Sequence, residues 1–229
     1  MTIYRIPERI GAFLFDIDGT MYTNAAYGRF QSEILIAELA RILGVPFESA
    51  AAEVKRVQAE YAAAHGGAST SLGNSMATLG IDMAASVELR SRLIDPSLFL
   101  AADPELRRAL AALRAGPPGG GNSTSLLAVT NNPRSVGEAT LAALGVLDLF
   151  LRVIGLDDTM LSKPAREPYL LAASIAKRDT AACVSVGDRY DVDLAVPLEL
   201  GMGAVLVSGA EDVYALPAAL ASLYRSPKK

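Results

Sequence analysis

Short apolar runs rich in β-branched residues recur along the chain at 12–16 (AFLFD), 125–130 (SLLAVT), 151–156 (LRVIGL), 182–188 (ACVSVGD) and 203–209 (GAVLVSG). They are too short for helices and apolar almost throughout, the pattern of strands covered on both faces. Between the later runs, PRSVGEATLAALG, EPYLLAASIAKR and DVDLAVPLELG place apolar residues at helical spacing. Strand and helix thus alternate, which predicts an α/β fold with a doubly wound parallel sheet. In such folds ligands bind outside the carboxyl ends of the strands.

The first two runs stand about a hundred residues apart, far more than one crossover helix needs. Residues from about 22 to 96 show no strand pattern, whereas SEILIAELARILG and AAEVKRVQAEYAAAHGG carry apolar helical spacing, followed by the small, polar stretch STSLGNS. The expectation is a small α-helical cap domain over 22–96, inserted into a Rossmann-like core over 1–21 and 97–229. Its connections fall near Met21–Ala25 and Asp95–Asp103, and the core helix DPELRRALAALR follows the return. GPPGGGNSTS (116–125) reads as a surface loop and the closing RSPKK as a solvated tail.

Composition narrows the partners more than the fold. A chain of 229 residues, 51% hydrophobic and 20% charged, is a packed globular protein. A net charge of −4 offers no broad positive field for a phosphodiester backbone, which points away from nucleic acid and towards small ligands. Cys183 is the only cysteine, so no internal disulfide can form, and its apolar neighbours make it a core residue suited to a reducing cytoplasm. The N-terminal stretch is broken by Arg5, Pro7 and Arg9, and nothing reads as a signal peptide, a membrane anchor or a bilayer span. A cytoplasmic monomer or homodimer is expected.

Laid side by side, the strand ends bring chemistry together. The first run ends in Asp16 and Asp18, the second in Thr130, the fourth in Asp188, and Lys163 precedes the helix that starts near Glu167. Carboxylates held this close raise one another's pKa and cost stability unless a cation sits among them. Oxygen ligands with room for water and phosphate suit Mg²⁺ best.

DIDGT at 16–20, Thr130 in LLAVTN, Lys163 in SKPAREPY and GDRYDVD at 187–193 resemble, in order and spacing, the four motifs of the haloacid dehalogenase superfamily. The likeness spans the core, and the insertion is similar to the cap of the subfamily that includes phosphoglycolate phosphatases, β-phosphoglucomutases and pyrimidine nucleotidases. It implies that Asp16 is the nucleophile, forming an aspartyl-phosphate, and that Asp18 is the general acid and base. It implies Mg²⁺ held by the Asp16 carboxylate, the Asp18 backbone carbonyl, Asp188 and Asp193, with Thr130, Asn131 and Lys163 at the phosphoryl oxygens. Asp191 is as well suited to capping the helix expected near Val192 as to the metal. His65 reads as a helix C-terminal cap, and its solitude excludes a multi-histidine metal site.

A dehalogenase of this superfamily needs neither metal nor an acid at the position of Asp18, and a phosphonate hydrolase replaces that acid and uses a cap lysine. Asp18 is present and Lys55, the only lysine of the cap, falls mid-helix, so phosphoester hydrolysis is the expected reaction. The substrate is a small phosphorylated metabolite. Nucleoside monophosphates and small sugar phosphates rank together, and Arg29 and Arg56 keep phosphoglycolate in view. A phosphomutase, or a noncatalytic phosphate-binding protein on the same fold, is the alternative.

Overall fold

The computed structural model describes residues 1–67, 70–116 and 123–225. The loop expected at 116–125 falls mostly on 117–122, and the tail on 226–229, outside the described residues. A first strand, β1 (Thr2–Arg5), precedes β2 (Ala12–Phe15). Four helices follow: α1 (Ala25–Leu43), α2 (Phe47–Ala64), α3 (Leu72–Thr78) and α4 (Met83–Leu93). The chain continues through α5 (Pro104–Ala115), β3 (Ser125–Val129), α6 (Arg134–Ala143), β4 (Arg152–Ile154), α7 (Leu156–Thr159) and α8 (Glu167–Ala176). It closes with β5 (Cys183–Gly187), α9 (Ala195–Glu199), β6 (Gly203–Leu206) and α10 (Ala210–Arg225).

The sheet order is β1-β6-β5-β2-β3-β4, parallel except for β1, which pairs antiparallel with β6. From β2 the chain winds outward through β3 and β4, then returns to lay β5 and β6 on the other side. β2 and β5 therefore flank the point where the winding reverses, and the crevice beyond their carboxyl ends is the natural ligand site of such a sheet. Alternation along β2 builds both halves of the core. Phe13 and Phe15 pack with Leu106 and Leu110 of α5 and with Val213 and Leu216 of α10. Ala12 and Leu14 face the opposite way, onto Tyr169 and Ala172 of α8.

The inserted helices have a core of their own: Leu35, Leu39, Ala50, Val54, Met76, Ile81 and Leu89. Local signals set their ends. Asn24 caps α1 by accepting from Ala26 and Tyr27 N–H, and Gly44, at φ +68°, stops it in the left-handed conformation. Within the small, polar stretch STSLGNS, the chain is helical from Leu72 on: Ser71 caps α3 and accepts from Asn74 N–H. Its small residues concealed the cap because Ser-x-x-Asn occurs equally in turns. His65 does end α2.

Candidate active site

At the end of β2 the Asp16 N–H stays in the sheet, donating to Val186 of β5 at 2.9 Å, and the chain then turns away through Gly19 at φ +82°. A Cβ on Gly19 would stand 2.6 Å from Asp188 Oδ2, so glycine is needed here for conformation and for space. Asp16, Asp188 and Asp193 thereby converge, each with a carboxylate oxygen within 4.8 Å of the others. Asp193 comes from a π-helical turn, Tyr190–Leu194, directly after β5, and is 1% exposed. Its backbone carbonyl accepts from Ser185 and its Oδ2 accepts from Arg189 N–H. Asp191, on the same turn, points outward and is exposed.

Lys163 reaches this cluster from the loop before α8. Its Nζ lies 2.6 Å from Asp16 Oδ1 and 2.8 Å from Asp193 Oδ1, and the residue is 3% exposed. Burial works against the ammonium, but Asp16 and Asp193 outweigh it and hold the Lys163 pKa above the ordinary lysine value. Burial pushes the Asp16 carboxyl up to about 7, with Asp193 and Asp18 adding to the rise and Lys163 opposing it. Burial likewise raises Asp188. One lysine does not neutralise this group. Asp188 Oδ1 is a buried carboxylate oxygen with no hydrogen bond among the described residues, and Arg189 Nε is 3.9 Å away. An orphaned oxygen beside two more carboxylates fits a hard divalent cation.

Thr130, at the end of β3, is buried, and its N–H pairs with Ile154 of β4. Asn131 faces the Lys163 backbone, accepting from its N–H at 2.7 Å and donating to its carbonyl at 3.3 Å. That double contact fixes the loop carrying the ammonium.

The Asp18 carboxylate points elsewhere, into the cleft under the helical insertion. Its Oδ1 accepts from Tyr22 Oη and from Gln31 Nε2 at 2.8 Å, and its Oδ2 accepts from Asn132 Nδ2 at 3.0 Å. Asn132 also donates to Gln31 and accepts from Arg90 of α4 at 2.8 Å. The insertion thus supplies Gln31 and Arg90, and the core Asn132, to one network around the second acid. Above it lies a cavity of about 530 Å³, lined by Gln58, Thr70 and Ser71 on one side and by Asn131, Ser162 and Asp188 on the other.

Residues 10–201 match the sequence profile of the haloacid dehalogenase-like hydrolases. The chain belongs to that family. Among curated proteins no sequence matches it. The HAD phosphatase from Thermococcus onnurineus is 25% identical, with 86% of each chain covered and a TM-score of 0.59. A 2-haloacid dehalogenase from Pseudomonas syringae pv. Tomato is 20% identical over 93% of this chain and 99% of its own, with a TM-score of 0.57. YfnB from Bacillus subtilis, bound to magnesium, is 15% identical over 92% and 100%, also with a TM-score of 0.57. It was the contacts around Asp18 that sequence reasoning missed: Tyr22, Gln31, Arg90 and Asn132. Gln31 and Arg90 sit in helices where a polar residue reads as solvated surface. Arg29 and Arg56, taken as the cap cations, are exposed, and Arg56 is spent on Glu53 and Glu60.

Proposed function

We propose that this hydrolase is a Mg²⁺-dependent phosphatase acting on a small phosphomonoester through an aspartyl-phosphate. The observation that carries this reading is the division of labour between two carboxylates on one turn. Asp16 joins the acidic cluster and Lys163, whereas Asp18 is held apart from it by neutral donors, as a group that must give and take a proton requires. The likeness to the Thermococcus onnurineus phosphatase points the same way.

In this reading an Asp16 oxygen attacks phosphorus as the ester P–O bond breaks, and Asp18 gives its proton to the departing oxygen. Asp18, now a carboxylate, takes a proton from water as that water attacks phosphorus. The Asp16–phosphorus bond breaks and phosphate leaves. Lys163 orients Asp16 and, with Thr130, offsets charge on the phosphoryl oxygens. Asp16, Asp188, Asp193 and the Asp18 backbone carbonyl would hold Mg²⁺, which supplies Lewis-acid polarisation of the phosphoryl group when bound. The helices above exclude water, and candidate substrates are nucleoside monophosphates, sugar phosphates and phosphoglycolate, as in the nucleotidase and phosphoglycolate phosphatase branches. The test is hydrolysis of a generic aryl phosphate with and without Mg²⁺. Activity should require the metal and fall at least ~1,000-fold in Asp16→Asn with the circular dichroism spectrum unchanged. Equal activity in excess chelator overturns the metal role, and an active Asp16→Asn overturns the covalent step.

A further inference from the structure

Arg90 is a buried cation without an ion-pair partner among the described residues. It is 8% exposed, in the last turn of α4, and its hydrogen bonds go to neutral groups: Nε to Ser86 Oγ at 3.3 Å and Nη1 to Asn132 Oδ1 at 2.8 Å. Nη2 has no hydrogen bond among the described residues, and the side chain lines the cavity beside Asp18. Burial lowers its pKa to about 10, and the carboxylate acting against that fall is Asp18, one amide away. Arg189 makes the contrast. It lines the same cavity, and burial works against its charge too, but Asp193, Asp16, Asp188 and Asp191 outweigh that and hold its pKa up. A guanidinium removed from water without a counter-charge costs free energy that a bound anion can restore.

We propose that Arg90 is a specificity-determining residue that selects phosphomonoesters bearing a second anionic group, a carboxylate or a further phosphate, on the leaving side. This rests on the phosphatase reading given above. The chain of contacts sets the scale: Asp18 to Asn132 at 3.0 Å and Asn132 to Arg90 at 2.8 Å, with one amide between, put the guanidinium at most about 8 Å from the acid that protonates the ester oxygen. An anion a few bonds beyond that oxygen meets Nη2, whereas a neutral group of the same length leaves it unanswered. Because Arg90 belongs to the inserted helices and Asn132 to the core, the same anion would draw the two together over the site.

The experiment compares kcat/KM on three matched esters: the monophosphate of a short hydroxy acid, the monophosphate of the corresponding diol, and the bisphosphate of that diol. Wild type should prefer one of the charged esters over the diol monophosphate by at least ~10-fold, and which one identifies the anion. Arg90→Met should collapse that ratio, and Arg90→Lys should keep part of it. A wild-type ratio near one, or an equal fall on all three esters in Arg90→Met, overturns the proposal and makes Arg90 a clasp between α4 and Asn132. Thermal melts with inorganic phosphate plus the free hydroxy acid, or plus methylphosphonate, which has no ester bond to break, as the second anion, provide a readout free of turnover. One of these anions should raise the melting temperature of wild type and not of Arg90→Met, even if no ester is hydrolysed. Loss of all hydrolysis with this shift intact refutes the phosphatase reading alone. Absence of the shift for both anions refutes the role of Arg90.

Discussion

Lys163 shows how far one side chain can be committed. Its ammonium lies between two carboxylates at 2.6 and 2.8 Å, and removing it would leave Asp16 and Asp193 facing each other in a dry pocket. Breaking a buried ion pair from one side costs about 3–5 kcal/mol, so Lys163→Met should lower stability by an amount of that order in metal-free protein, read by chemical denaturation. A divalent cation should recover part of the loss, since it answers the same carboxylates. Lys163→Arg should not rescue turnover, because a planar fork does not fit where a point charge does. Asp16 and Asp188 stood out in sequence because each ends an apolar run, and Lys163 because it comes just before a helical segment. Arg90 and Gln31 did not. Helical periodicity tells which residues face a helix's own core, and the insertion turns a second, polar face towards the strand ends.

At the scale of elements, the turn after β5 is under close steric control. A Cβ on Gly187 would lie 2.4 Å from Asp193 Cβ, a contact that backbone movement alone can relieve. Gly187→Ala should therefore displace the π-helical turn and move Asp193 away from Lys163. We expect a loss of metal-dependent stabilisation and of activity together, with far-ultraviolet circular dichroism unchanged. The strand pattern of β2 to β6 was legible in sequence, since strands buried on both faces are continuous apolar runs. The strand β1 was not: it lies at the sheet edge, its residues Thr2, Tyr4 and Arg5 are exposed, and Pro7 follows at once. The turn at Tyr190–Leu194 was expected as a helix starting near Val192. The structure begins it two residues earlier with a wider winding, which carries Asp193 inward and leaves Asp191 outside. A reading by 3.6-residue period has no means of seeing that difference.

For the molecule as a whole, Mg²⁺ held by the acidic cluster as proposed would make stability depend on a cation that binds only the folded state. At a hundred-fold excess of Mg²⁺ over its dissociation constant the gain is about 2.7 kcal/mol, or roughly 5–10 °C in melting temperature for a chain of this size. Asp188→Ala should remove most of that rise, and scanning calorimetry with and without chelator measures it. The long excursion between β2 and β3 was legible because about a hundred residues lie between two runs that pair in register, as Ala12 with Ser125 and Phe15 with Ala128 do. The way the two connections meet was not. Asn24, which caps α1, also donates its Nδ2 to Phe99 O at 2.9 Å, and the Phe99 ring packs on Tyr27 and Phe30. Outgoing and returning chain are thus stitched together on the insertion's side of the site. For recombination this makes the insertion a cassette with both of its threads included: a chimera joined outside Asn24 and Phe99 carries the stitch intact, whereas one joined between them parts it and inherits a loosened attachment, however well the borrowed helices fold.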